Sequence, residues 1–264
     1  GVGTTYRAVH VFTGLPVCVK ICKNPASGGA KMQAYLKTIL KEEALAMARC
    51  RHFTIPSFID LFSVGDKDDS IALVMSFIPG KTLEELVKEY GPLEAEDVAW
   101  ITERVLLGLR SLHWNGVIHG DVKPQNIIIQ PESHTAVLVD FGLSKINPEA
   151  GSRPKGYTEV FCAPEQTGGT ALLPQTDFYC LGLSMLYALS GSDDEEYTSV
   201  MAHETPEDTP EALCEFIGKL LRTNILDRPC WNDDPLNMIV EVRKKAFRRT
   251  RSGMKPVRGK RKKR

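Results

Sequence analysis

The 264-residue chain predicts an α+β protein of two lobes, a small mainly β lobe with one long helix followed by a larger mainly α lobe. Three observations carry this reading. Short apolar and β-branched runs near 6–11, 16–22, 58–64 and 71–76 are interrupted by a single long helical pattern near 31–49. Beyond residue 95 apolar residues recur at three- and four-residue spacing, near 95–113, 177–190, 211–222 and 235–247. Between these two regimes, residues 119–142 read HGDVKPQNIIIQPESHTAVLVDFG, two apolar strands joined by a polar turn.

In chain order, KNPASGG is a loop signal, with Pro25 and two glycines, that ends the strand PVCVKIC before the helix begins. Within the helix, Met32, Leu36, Ile39, Leu40, Glu43 and Met47 share one face. A carboxylate on a buried face needs a partner, and Lys20 on the preceding strand is the natural one; Glu42 is the alternative acid. LVMSFIPGKTLEEL reads as a strand that turns at Pro79 and Gly80 into a helix capped by Thr82. Val98, Ile101, Val105, Leu106, Leu109 and Leu112 form the core stripe of the helix ending near His113. IIIQ and AVLVD then read as a short hairpin whose ends lie side by side. Asp121, Lys123 and Asn126 precede it and Asp140 follows it. Asn126 and Asp140 offer hard oxygen ligands of the kind Mg2+ prefers, and Asp121 is a carboxylate free to orient a nucleophile, an arrangement suited to a metal-bound triphosphate.

HGDVKPQN followed by DFG resembles the catalytic and metal-binding loops of the eukaryotic-type (Hanks-type) protein kinase superfamily. PVCVK resembles that family's lysine strand, KEEALAMARCRH its following helix, CAPEQ its A-P-E box and TDFYCLG the start of a large-lobe helix, and DRP at 227–229 resembles its arginine motif. The resemblance implies a bilobal protein-kinase fold, with residues 1–78 as the small lobe, 79–242 as the large lobe and 243–264 as a basic, disordered tail. It implies an ATP-dependent serine/threonine protein kinase that transfers the γ-phosphate to protein hydroxyls, with ATP and Mg2+ as cofactors. Asp121 would accept the substrate proton, Lys123 would lie near the γ-phosphate, and Asn126 and Asp140 would hold the metal. Lys20, clamped by Glu43, would bind the phosphates. Gly3, Thr5, Cys18, Met75, Ser76, Phe77, Ile78 and Ile128 would complete the nucleotide site. Thr158, five residues before Ala163, stands where serine/threonine members carry a threonine beside the catalytic aspartate. The resemblance also implies that Asp177 anchors the catalytic loop and that Arg228 pairs with Glu165.

Three departures from the family pattern matter. Gly120 occupies a place where many members have an arginine that binds a phosphate on the segment after DFG, so control through phosphate at Ser144 or Ser152 is not expected. Aligning on Lys20 makes Gly3 the family's third glycine and puts the first strand before residue 1; the other register makes Gly1 and Gly3 the first pair, with Tyr6 replacing the third. Either leaves the phosphate-covering loop incomplete. Cys18 replaces the usual alanine above adenine, as a small buried thiol.

Composition, 42% apolar and 25% charged, is that of a globular protein. No apolar run reaches the roughly 18 residues of a membrane span, and no leader peptide is legible at GVGTT. Seven cysteines without a CxxC pair read as reduced, mostly buried thiols, so an intracellular location, cytoplasmic or nuclear, is expected. The net charge of zero conceals a division. Thirteen of the 33 basic residues lie from Arg243 onward, with none of the 33 acidic ones, so 20 basic residues face 33 acidic in the remainder, a balance of −13. Such a tail could contact nucleic acid or an anionic membrane as well as import machinery. The competing reading is a pseudokinase or binding scaffold of the same fold; retention of Lys20, Asp121 and Asp140 separates the two. APEQ and TDFYCLG also resemble bacterial members of the superfamily.

Overall fold

The structure is a computed structural model that describes residues 3–22, 29–65, 70–130, 133, 135–191 and 197–248. Four strands, β1 (Gly3–Val9), β2 (Pro16–Cys22), β3 (Phe58–Val64) and β4 (Ser70–Ser76), form an antiparallel sheet in the order β1-β2-β4-β3. SIALVMS is apolar on both faces of its strand, and β4 accordingly lies inside the sheet with nearly every residue buried. β1 begins three residues earlier than the expected run near 6–11 and ends at Val9. The shift arises because His10 closes the hairpin, its N–H donating to the Leu15 carbonyl and its carbonyl accepting from Gly14.

Helix α1 (Ala30–Ala48) packs on this sheet through Ile39, Leu40, Ala44 and Met47, with Glu43 buried among them; of the face expected from the sequence, Leu36 is half-buried and Met32, in the first turn, is exposed. The chain after α1 ties the sheet to the second lobe: the Thr54 carbonyl accepts from Leu138 N–H at 2.9 Å. Strand β5 (Lys81–Thr82) then leads into helix α2 (Leu83–Tyr90), where Thr82 and Glu85 each satisfy the other's backbone N–H, a complete capping box.

The larger lobe is built around α3 (Ala95–Trp114), whose apolar stripe is wholly buried. It delivers the chain to β6 (Val117–Ile118), then to the hairpin β7 (Ile127–Gln130) and β8 (Thr135–Leu138), in which Ile127 pairs with Leu138. Strand β9 (Lys145–Ile146) pairs with β6. After the short helix α4 (Pro164–Thr167), α5 (Pro174–Ser190) is apolar on every side, and 14 of its 17 residues are buried as the central core helix. Helices α6 (Thr198–Ala202), α7 (Glu211–Leu220) and α8 (Pro235–Phe247) close the lobe. Among the described residues, no helix is long and apolar enough to cross a membrane.

Two expectations change here. Residues 243–247 belong to α8 rather than to a disordered tail. The cause is Arg243, which is buried and ion-paired with Glu103 of α3, so its charge is satisfied inside the fold. Residues 249–264 lie outside the described residues. The cysteines are all free thiols, but only Cys22, Cys50 and Cys180 are buried; Cys18, Cys162, Cys214 and Cys230 are partly exposed.

The large lobe is pinned by Arg228. Its guanidinium makes a two-pronged pair with Glu165 at 2.7 and 2.9 Å, donates to the carbonyls of Arg222, Thr223 and Gln175, and lies 4.6 Å from the Tyr179 ring. Removing one partner of a buried pair strands the other charge. Glu165→Ala is therefore expected to cost about 3–5 kcal/mol in urea unfolding, and Glu165→Leu with Arg228→Met markedly less. A Glu165→Ala loss smaller than that of the double variant would contradict this assignment.

Candidate active site

Lys20 sits mid-strand in β2, opposite Thr5 of β1 and Leu73 of β4. This register fixes its backbone on both sides, and its buried ammonium lies 2.8 Å from both Glu43 carboxylate oxygens and 2.7 Å from Asp140 Oδ1. Burial alone would push the Lys20 ammonium down, but Glu43 and Asp140 outweigh it and hold its pKa above the ordinary value. Glu43, more deeply buried, is raised: desolvation outweighs the attraction of Lys20. Asp140 is lowered, since the Lys20 charge and the Gly142 N–H overcome its own desolvation. The alternative acid, Glu42, is engaged elsewhere, 2.6 Å from Lys155.

Asp140 lies two residues after the end of β8 and adopts φ +62°, a conformation costly for a residue with a side chain. That turn aims Oδ1 back at Lys20 and Gly142 N–H, with the side chain still 47% exposed. Both protein contacts found for the carboxylate among the described residues converge on Oδ1, leaving Oδ2 for a ligand.

Asp121, Lys123, Asn126 and Thr158 form a second cluster. Thr158 Oγ1 donates to Asp121 Oδ1 at 2.7 Å and accepts from Lys123 Nζ at 2.8 Å, and the same ammonium lies 2.7 Å from Asp121 Oδ2. Asn126 Nδ2 donates to the Asp121 carbonyl and to its Oδ2, at 2.9 and 3.0 Å. With its N–H donors so used, the Asn126 carbonyl oxygen is the atom left to meet a cation. Asp121 thus stands ready among donors, its carboxylate oriented from three sides.

The loop is held from below. Asp177 accepts from the N–H groups of His119 and Gly120 at 2.8 Å each and from His113 Nε2 at 2.8 Å. His113 Nδ1 in turn accepts from the Trp231 indole, which fixes its proton on Nε2. Gly120 adopts φ +73°, and a Cβ there would meet the Leu143 carbonyl at 3.1 Å. Its carbonyl accepts from Gln166 Nε2 at 2.9 Å. A glycine takes this backbone without strain.

Above these clusters lies a cavity of about 270 Å³. Its upper wall is Thr5, Cys18 and Lys20; its rear and side are Met75, Ser76, Phe77 and Ile78; Ile128 and Val139 form its floor, with Glu43 and Asp140 at the inner end. The sequence reading missed Pro56 and Val139. Pro56 lies two residues after Thr54, which bonds to β8, and Val139 is the last apolar residue of the AVLVD run, so adjacency to Asp140 was the available signal for Val139. Gly3 does not line the cavity. It pairs with Cys22, two rungs beyond Thr5 and Lys20, and a Cβ at Gly3 would lie 2.5 Å from the Ile21 carbonyl, so its smallness serves strand approach. Cys18 is partly exposed at the cavity, its thiol pushed up by burial, the Lys20 charge notwithstanding. Cys162 is likewise held in its protonated form by burial, its Sγ donating to the Glu159 carbonyl.

The family described as the protein kinase domain matches residues 1–234. The chain is 29% identical to serine/threonine-protein kinase F of Synechocystis sp. over 249 residues, 86% of this chain and 50% of that protein. It is 31% identical to serine/threonine-protein kinase PknL of Mycobacterium tuberculosis over 224 residues, 83% of this chain and 54% of PknL. With serine/threonine-protein kinase pkn3 of Myxococcus xanthus the identity is 27%, over 87% of this chain and 45% of the relative. The chain spans about half the length of these relatives.

His119 supplies a pH test of the loop. It is fully buried, its Nδ1 accepts from Asp121 N–H, its Nε2 donates to the Val139 carbonyl, and its ring packs edge-on against Phe141. Desolvation lowers its pKa below the ordinary 6.5, against the pull of Asp177 and Asp121. The unfolded chain therefore takes up a proton before the folded one does, so the His119 contribution is fully present above pH 6.5 and is lost as pH falls towards the folded pKa. His52 and His203 shift the same way and add to the slope. Unfolding measured between pH 5 and 7 is expected to show a flatter pH dependence for His119→Asn, by up to about 1.4 kcal/mol per pH unit. Parallel curves would contradict a buried neutral His119.

Proposed function

The chain belongs to the protein kinase family, and from that premise we propose that it is a serine/threonine protein kinase, transferring the γ-phosphate of ATP to hydroxyls of a protein substrate. The observation that carries the proposal is Lys20 held between Glu43 and Asp140 at the inner end of a mainly apolar cavity. A planar base suits the apolar part, between Cys18 above and Ile128 below. The backbone of Ser76 to Ile78 borders it as hydrogen-bonding edge, with Met75 behind. The charged phosphates then extend to Lys20. That an ammonium is kept charged despite burial is what anion binding requires.

The donor set fits Mg2+. Among the described residues no three His, Cys, Asp or Glu side chains gather into a protein-only metal site, whereas Asp140 and the Asn126 carbonyl oxygen offer hard donors of the number magnesium takes alongside phosphates and water. The bound ion would neutralise charge on the phosphates. Asp121 accepts and orients the substrate hydroxyl, and Lys123 stands beside it to meet negative charge on the transferred group. Thr158 fixes the rotamer of Asp121 and borders the place where the substrate side chain arrives. Most of the barrier is removed by such positioning and charge stabilisation.

The free thiols favour a reducing, intracellular setting. The basic residues from 249 onward suit electrostatic contact with an anionic membrane or nucleic acid. Removing them is expected to abolish salt-sensitive binding to acidic vesicles or to DNA; unchanged binding by the shortened chain would exclude this role.

The catalytic proposal is tested by phosphate transfer from ATP to a generic basic protein. Asp140→Ala and Asp121→Asn are each expected to lower turnover at least about a hundredfold. Asp140→Ala should also abolish the thermal stabilisation given by Mg2+ with ATP, while Asp121→Asn keeps it. Equal labelling by the wild type and Asp140→Ala would refute the assignment.

A further inference from the structure

Three residues before Thr158, the chain makes a contact that the catalytic scheme does not use. Lys155 is nearly buried, its side chain 10% exposed, and its ammonium lies 2.6 Å from Glu42 of α1, whose side chain is 46% exposed. Glu42 is the immediate neighbour of Glu43, which clamps Lys20. Segment 155–158 therefore touches the small lobe at one end, through Lys155, and the Asp121 carboxylate at the other, through Thr158. We propose that Lys155 is a positioning residue: by holding Glu42 it keeps α1 in the place where Glu43 reaches Lys20, coupling the order of segment 155–158 to assembly of the nucleotide site. This rests on the kinase reading for its catalytic consequence, though not for its structural one.

Two further features support it. An ammonium this desolvated needs a counter-charge, so the pair differs from an ordinary surface ion pair, whose worth is small. Alternative ties for the segment are accounted for locally. The Ser144 hydroxyl is buried and donates to the Phe141 carbonyl, and Ser152 Oγ accepts from Glu149 N–H. Gly120 has no side chain to offer, and its backbone is already taken by Asp177 and Gln166. The Lys155 pair is thus a direct link from this segment to α1 that requires no added phosphate.

Charge reversal decides the matter. Lys155→Glu and Glu42→Lys are each expected to lower kcat about tenfold or more, to loosen α1 in hydrogen exchange over residues 39–47, and to leave the large-lobe amides protected. The exchanged pair, Glu42→Lys with Lys155→Glu, should regain most of both losses, and Lys155→Arg should keep both near the wild type. If both single reversals retain wild-type kcat and wild-type α1 exchange, the proposal is overturned. It is also overturned if exchange rises equally in the double reversal, which would mark a packing role only. Should the wild type transfer no more phosphate than Asp140→Ala, the kinase reading fails, and α1 exchange alone then decides the Lys155 contact.

Discussion

A lysine ammonium buried in a β-sheet is the constraint around which this fold is arranged. Lys20 is exposed to little water, and an unpaired charge there would be prohibitively costly, so the surrounding chain must supply anions. It supplies two, from places 23 and 120 residues away in sequence. Glu43 arrives on the inner face of α1 and Asp140 on the turn that leaves β8, at the edge of the other lobe. One cation thereby fixes a sheet, a helix and a loop relative to each other. The same cation lines the cavity, so the element that orders the lobes also lies where the proposed nucleotide would bind.

Beneath it, a second arrangement holds the groups proposed to act on the substrate. Asp177, inside the core helix α5, takes the backbone of His119 and Gly120, and its own environment is set by His113 and Trp231. The loop that follows cannot tilt without breaking several buried hydrogen bonds. Asp121, Lys123 and Asn126 accordingly project from a backbone fixed at the core, and Thr158 meets Asp121 from the opposite side. Rigid support from packed helices is what lets a few polar atoms remain near each other without collapsing into unproductive pairs.

Much of this was legible in the chain. The face shared by Glu43 with Ile39 and Met47 located the carboxylate that Lys20 needs, because helical spacing alone places them together. The hairpin IIIQ and AVLVD brought Asn126 and Asp140 to one end because strand pairing has a fixed register. Other features were not legible, for physical reasons. Gly3 looked like part of a phosphate-covering loop, yet its position is set by its rung opposite Cys22, which composition does not encode. Arg243 looked like the start of a solvated basic run; only the placement of Glu103 on α3, brought near by helix packing, draws it into the fold. Pro56 lines the cavity through the non-local approach of a loop, which local pattern does not encode, whereas Val139 adjoins Asp140 in sequence. The Lys155 and Glu42 pair likewise depends on contacts between segments more than a hundred residues apart, beyond the reach of local pattern.

In the proposed kinase, Lys20 and Glu43 act as one unit at the nucleotide site. Calorimetric titration of ATP with Mg2+ into the wild type, Lys20→Met, Glu43→Gln and the double variant measures that unit directly. The expected result is strong non-additivity: each single substitution weakens binding, and Glu43→Gln adds almost nothing once Lys20 is gone, a coupling of about 1 kcal/mol or more. Strictly additive losses in the double variant would show that the two side chains act independently, and would contradict the central role given to their pairing.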